Sequence, residues 1–161
     1  MALRTSIEAL KRIDLFKGLT DAELAQIAKL CREHSHEAGE LCVTEGQKTD
    51  QVHFVKKGRV AIEFRIPHAP YGKEITVDTV GEREVFAWSA LVTGTLTASV
   101  KAVEPTQVLD VDAAELLALC EKDNHIGYVL MKNLTSVISS RLTRSRLALL
   151  NAISAAIGEG W

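Results

Sequence analysis

The chain has 161 residues, 47% hydrophobic and 25% charged, a balance that fits one soluble domain able to bury a core without covalent staples. Lys and Arg number 19 against 21 Asp and Glu, the formal net charge is −2, and aromatic residues make up 5%; a dedicated nucleic-acid binder would show a basic surplus or a base-stacking platform, and this chain shows neither. The 3 cysteines, Cys31, Cys42 and Cys120, form no CxxC pair, which argues against a disulfide framework or zinc ribbon and for reduced thiols in a cytosol.

Met1-Ala2-Leu3-Arg4 lacks an apolar signal core. Ile7, Leu10 and Ile13 then suggest a short helix stopping near Gly18. The sharpest helix start is Leu19-Thr20-Asp21-Ala22-Glu23-Leu24, where Thr20 and Glu23 fit a capping box and Leu19 with Leu24 a hydrophobic staple. Leu24, Ile27, Ala28 and Cys31 would share its apolar face. From His36 to about Val111 the period changes to two. Val60, Ile62, Phe64 and Ile66 alternate with Arg59, Ala61, Glu63 and Arg65, and Ile75 and Val77 with Glu74, Thr76 and Asp78. Glycines punctuate these runs, and Pro67 and Pro70 mark a loop between two of them. Short strands with regular turns imply an antiparallel β-roll or jelly roll. Asp112 and Leu116 repeat the cap-and-staple pattern, and Asp123 or Asn124 caps a long helix running to about Leu150. The predicted fold is therefore α+β in a single domain, 1–161. N-terminal helices cover 5–33, a jelly-roll β-roll 34–111 and C-terminal helices 112–155. The longest near-apolar run, Leu147 to Ile157, contains Asn151 and Ser154 and is too short to span a bilayer. The expected location is cytoplasmic, with no membrane partner.

Particular words in the sequence match this order. Leu15-Phe16-Lys17-Gly18-Leu19 precedes Asp21 and Leu24; Gly39-Glu40 and Glu45-Gly46 mark two turns; Asp50, Val52, Phe54 and Val55 lead to Gly58-Arg59-Val60. Gly81-Glu82-Arg83-Glu84-Val85-Phe86 is followed by Ala90-Leu91 and by Ala98, Val100 and Ala102. Over about residues 10 to 150 the chain resembles the cyclic-nucleotide-binding domain family, the sensor domains of transcription regulators, kinases and channels. The resemblance implies a phosphate-binding cassette at Phe86–Thr97 and a last helix that closes the pocket near Ser145-Arg146 and pairs two subunits.

The chain departs from the family where the ligand is held. Phe86 is followed by Ala87-Trp88 instead of Gly-Glu, and Trp88 cannot accept a ribose hydroxyl bond because indole is a donor only. Leu96 stands where the family's arginine pairs with the cyclic phosphate, beside Thr97 at a small hydroxyl position, and Arg83 replaces a family glycine. Losing one partner of a buried charge pair costs about 2–5 kcal/mol, roughly 30-fold to several thousand-fold in affinity. This weakens cAMP or cGMP binding in the usual pose. The short helix expected over Trp88-Ser89-Ala90-Leu91-Val92 would still turn amides toward an anion. Ser89, Thr95 and Thr97 would add hydroxyl donors.

The last helix carries Ile126, Leu130, Leu134, Ile138, Leu142 and Leu149 on one face, with Arg141 and Ser145 inside the stripe and Arg144 at its edge. A polar residue there needs a partner. Arg141 or Arg144 could supply the charge that Leu96 does not, or Arg141 could snorkel to water or bond within a dimer seam. The candidate ligand-binding residues are Phe86, Ala87, Trp88, Ser89, Ala90, Leu96, Thr97, Arg141 and Ser145. The expected function is a non-catalytic regulatory sensor that binds a small anionic or nucleotide-like ligand, cyclic nucleotide included, and signals through its C-terminal helix. Its partners would be that ligand, a second copy joined through the C-terminal helix, and a downstream protein. No metal, catalytic residue or DNA-binding domain is assigned. The alternative is a ligand-free dimerisation or protein-interaction module with a decayed pocket. His34-Ser35-His36-Glu37-Ala38-Gly39-Glu40 contains HxHxxxE, the first part of a cupin metal motif, but the preceding glycine and a second Pro-Gly-His segment are absent. These histidines read as exposed strand residues.

Overall fold

In the computed structural model, which describes residues 2–67 and 72–158, α1 (Ala2–Arg12) leads through a 3-10 turn (Asp14–Phe16) into α2 (Asp21–Ala28). The first helix thus ends at Arg12, and the separate turn carries the chain to Gly18. The capping box at Thr20 is complete. Its Oγ1 accepts from the Glu23 amide at 3.3 Å, and Glu23 Oε2 accepts from the Thr20 amide at 3.4 Å. Cys31, expected on the helix face, instead opens the first strand. It pairs with Val111 across the sheet, so β-pairing overrides the helical spacing.

The strands are β1 (Cys31–His36), β2 (Leu41–Val43), β3 (Gln51–Lys57), β4 (Val60–Arg65), β5 (Glu74–Val80), β6 (Val85–Phe86), β7 (Ser99–Ala102) and β8 (Thr106–Asp112). They form two antiparallel sheets, ordered β1-β8-β3-β6 and β2-β7-β4-β5, in a jelly roll. The inner strands of the first sheet, β3 and β8, are covered on both faces, while the edge strand β1 is largely exposed. Val52, Phe54, Leu109 and Val111 pack with Leu10, Phe16, Leu24, Leu116 and Ile126 of the helical layer. Val55, Val108 and Phe86 turn the other way and meet Val60, Val80 and Val100 of the second sheet. That explains why Val52-His53-Phe54-Val55 is continuously buried and shows no alternation.

The second sheet keeps one face toward solvent, and β5 is largely exposed. The strict alternation expected through Ile66 does not hold. A register shift falls between Ile62 and Glu63, and Ile66 lies beyond the end of β4. Such a bulge re-aims the residues that follow it. Of the two prolines expected in the loop, Pro70 lies outside the described residues. Gly58, between β3 and β4, has φ +102°, and a Cβ there would come within 2.6 Å of Thr106 Oγ1 and 2.7 Å of the Pro105 carbonyl oxygen. Only glycine fits that approach.

Asp112 caps α3 (Ala113–Lys122) by accepting from the Glu115 amide at 2.9 Å. Asp123 Oδ1 accepts from the amides of His125 at 3.1 Å and Ile126 at 3.3 Å and so opens α4 (Asn124–Gly158). At 35 residues, α4 is longer than the sequence pattern suggested and about 50 Å from end to end. Its first turns bury Ile126, Leu130 and Leu134 in the helical layer. Asn133 Nδ2 ties them to the preceding turn, donating at 2.9 Å to the carbonyls of Leu15 and Lys17. Val137 and Ile138 still pack against that layer, and beyond them the helix passes the mouth of the roll.

Candidate functional site

Between the second sheet, the turn after β6 and the middle of α4 lies a cavity of about 190 Å³. Phe86, Ala87, Trp88, Ser89, Leu96, Thr97, Arg141 and Ser145 all line it. These are eight of the nine residues expected to bind ligand. The ninth, Ala90, packs instead against the helical core. A larger groove of about 420 Å³, between α1 and the turn at Arg83, involves none of them.

The turn that forms one wall is locally strained. Ala87 sits in the left-handed region at φ 55°, ψ 30°, and Arg83 has φ 76°. Both replace glycines of the resembled pattern, yet the backbone keeps the conformation glycine would favour. The short helix expected from Trp88 to Val92 is a single 3-10 turn, Trp88–Leu91. The Ser89 carbonyl closes it, accepting from Val92 at 3.0 Å and from Thr93 and Gly94 at 2.9 Å. One such turn carries little dipole. Leu96, buried and pinned by backbone bonds to Gly46 and Gln47, adds only apolar surface.

The cavity's positive charge therefore comes from α4. Arg141 Nη2 donates to the Val85 carbonyl, while its Nε is buried with no hydrogen-bond partner. Burial pushes the guanidinium pKa down; Asp78 and Glu84 oppose that shift and Arg144 reinforces it. Those two acids are engaged elsewhere. Arg144 reaches Asp78 Oδ1 at 3.1 Å and Glu84 Oε2 at 4.0 Å. Among the described residues no carboxylate lies within ion-pair distance of Arg141. Of the fates that the sequence left open for Arg141 (pocket charge, snorkelling to water, a bond in a dimer seam), the inward bond to Val85 and the buried Nε favour the first.

Behind Phe86 is a feature that sequence reasoning missed. His53 stacks on the Phe86 ring with centroids 4.9 Å apart at 14°. Its Nδ1 lies 2.6 Å from Asp110 Oδ1. The pair buttresses the aromatic floor of the cavity. Asp78, Val77, Ile62 and Phe64 also line the cavity unanticipated. Their inward placement depends on the β4 bulge and the β4–β5 register, which no local signal announces. A lone histidine in the apolar run Gln51-Val52-His53-Phe54-Val55 is the one clue that could have pointed to the buttress.

The profile of the cyclic nucleotide-binding domain family matches residues 33–123. A provisionally named potassium channel protein of Rhodopseudomonas palustris is 28% identical over 135 residues, which is 83% of this chain and 31% of that protein. The chain thus spans about a third of that relative's length. Among solved structures, a provisionally named cyclic nucleotide-binding protein from Geobacter metallireducens is 30% identical, with a TM-score of 0.72 over 85% of this chain and 98% of the other. A cyclic nucleotide-binding domain from Methylobacillus flagellatus, at 20% identity, shares the fold with a TM-score of 0.79 over 93% of this chain and 83% of its own. No helix among the described residues is long and apolar enough to cross a membrane.

Proposed function

Because the chain belongs to the cyclic nucleotide-binding domain family, we propose that it is a non-catalytic sensor whose cavity takes a small anionic, nucleotide-like ligand and whose α4 transmits the binding. The observation that carries this reading is Arg141. A guanidinium turned into the cavity and held by one carbonyl, with Nε unpartnered and, among the described residues, no carboxylate within ion-pair distance, is a costly arrangement that an anion would relieve. Phe86, Ala87, Trp88, Ser89, Leu96, Thr97 and Ser145 shape the pocket around it. With Leu96 and Trp88 at the two positions that depart from the family, cAMP or cGMP would bind weakly in the usual pose, its phosphate drawn toward α4.

Transmission follows from the same contacts. Arg141 holds α4 to Val85, and Arg144 holds it to Asp78 and Glu84. A ligand that draws the Arg141 guanidinium off the Val85 carbonyl would change the balance of these contacts and so the preferred placement of α4. The shift is limited by the ligand's differential affinity for the two placements. A second copy of the chain would read α4 along its distal apolar face, where Leu142, Leu149 and Ile153 are exposed. The same face favours the alternative, a dimerisation module without a ligand.

Calorimetric titration with cAMP, cGMP, a linear nucleoside monophosphate and inorganic phosphate tests the proposal. The sensor reading expects saturable binding of at least one organic phosphate, weakened by about 2 kcal/mol or more in Arg141→Met. No heat with any of the four, together with an Arg141→Met variant at least as stable as wild type, favours the ligand-free module. Restoring the family residues with Ala87→Gly, Trp88→Glu and Leu96→Arg together should tighten cAMP binding by roughly tenfold or more.

A further inference from the structure

The two histidines that the sequence leaves as strand residues acquire a third neighbour in the folded chain. His34 pairs across the sheet with Val108 and His36 with Thr106, so both imidazoles rise on one face of β1, at the edge of the first sheet. Their ring centroids are 4.7 Å apart. The turn after β1 brings Glu40 back to them, and Glu40 Oε1 lies 3.0 Å from His36 Nδ1. One ligand atom from each of His34, His36 and Glu40 falls within 4.8 Å of the others.

We infer that His34, His36 and Glu40 form a binding site for a divalent transition metal of the zinc class. Two imidazoles and a carboxylate are a donor set that zinc accepts, at about 2.0–2.2 Å per bond. Donors on a tetrahedral ion at those lengths stand roughly 3.3 Å apart. His36 and Glu40 are already near that separation, and the His34 ligand atom, within 4.8 Å of both, would have to close by up to about 1.5 Å. The carboxylate is also oriented for the task. Glu40 Oε2 accepts from the Glu37 amide at 2.9 Å, which leaves Oε1 turned to the histidines. The turn itself is pinned to β7 by Gly39 N donating to the Ala102 carbonyl at 2.7 Å and Ala102 N donating to the Glu40 carbonyl at 2.9 Å. A bound carboxylate whose second oxygen is hydrogen-bonded is the usual outer support of a metal ligand. The remaining coordination position faces solvent, since His34 and Glu40 are exposed. Bound there, a metal would tie the edge strand of one sheet to the turn that starts the other, and the site shares no residue with the cavity under α4.

Cys42 stands outside the site: the ligand atoms that lie within 4.8 Å of one another are those of His34, His36 and Glu40. Titration of the full chain with Co²⁺, followed by d–d absorption, and with Zn²⁺ in competition tests the assignment. The expected result is one equivalent bound at micromolar affinity. His34→Ala and His36→Ala should each weaken it at least tenfold, and Cys42→Ser should leave it unchanged. Glu40→Gln, which keeps an oxygen for the Glu37 amide, should weaken it while the metal-free melting temperature stays near wild type. Saturating Zn²⁺ should raise the wild-type melting temperature and not that of the His34→Ala, His36→Ala double variant. No saturable binding at 100-micromolar-order metal, or binding that survives in the double variant, overturns the inference.

Discussion

Near its start, α4 buries Ile126, Leu130 and Leu134 completely or nearly so against the helical layer; farther along the same helix Leu142, Leu149 and Ile153 are 50%, 61% and 47% exposed. The spacing of the apolar residues is alike in both halves. What differs is the partner. The proximal half has α3, the 3-10 turn and the first sheet beneath it, whereas beyond Ser145, among the described residues, every position of the helix is exposed. Arg141 sits at the junction. An apolar stripe therefore reports that a face will be covered, not by what. The proximal half is structural; the distal half turns Arg141 to the cavity and leaves Leu142, Leu149 and Ile153 exposed.

The largest effect should come from the proximal half. Leu130→Ala leaves a cavity in a closed core and should lower the unfolding free energy by about 2–5 kcal/mol in urea titrations. Leu149→Ala, made in dilute protein, should change it by no more than about 0.5 kcal/mol. Similar losses at both positions would erase the distinction. Leu134→Glu, attractive from the stripe alone as a way to split a dimer, should instead unfold the chain, because Leu134 is 4% exposed within the core.

A second contrast concerns assembly. The distal face should form a homodimer at high micromolar concentration. The double change Leu142→Glu, Ile153→Glu should give monomers in sedimentation while the unfolding free energy of the monomer holds. A wild-type monomer under those conditions would assign the exposed face to something other than self-association. A smaller effect tests the strain across the cavity from Arg141. Ala87→Gly relieves a left-handed backbone and should add roughly 0.5–1 kcal/mol, readable as a rise in melting temperature.

The smallest effect at neutral pH lies in Cys31, beside the proximal core. Burial raises its thiol pKa from the ordinary 9.0 to about 12, and the nearby Asp110 charge adds to the shift. Because the folded pKa is the higher one, the contribution is fully present below pH 9 and is lost as pH rises from 9 toward 12. Stability should thus be flat in this respect up to pH 9 and fall above it, less steeply in Cys31→Ala. Iodoacetamide at pH 8 should label Cys31 far more slowly in the folded chain than in urea.

Much of the architecture was legible because its signals are local. Thr20 with Glu23, Asp112 and Asp123 each announce a helix by a cap only a few residues wide, and all three caps form. The cavity residues from Phe86 to Thr97 were readable because they are nearly contiguous in the chain. What escaped depends on register and distance. Asp78 enters the cavity through a strand pairing that includes a bulge, His53 meets Asp110 from 57 residues away, and Cys31 answers to β8 rather than to its own helix. The bond from Arg141 to the Val85 carbonyl spans 56 residues. Periodicity placed Arg141 in an apolar stripe, but only the fold shows which side of that stripe faces the roll.

Arg141→Met, measured for stability and for organic-phosphate binding in the same preparation, tests the division of α4 most directly. The account predicts a melting temperature equal to or above wild type, since a buried cation gives way to an apolar side chain, together with loss of the ligand-induced shift. A variant that loses several kcal/mol of stability while its ligand response survives would contradict it, and would make Arg141 part of the scaffold.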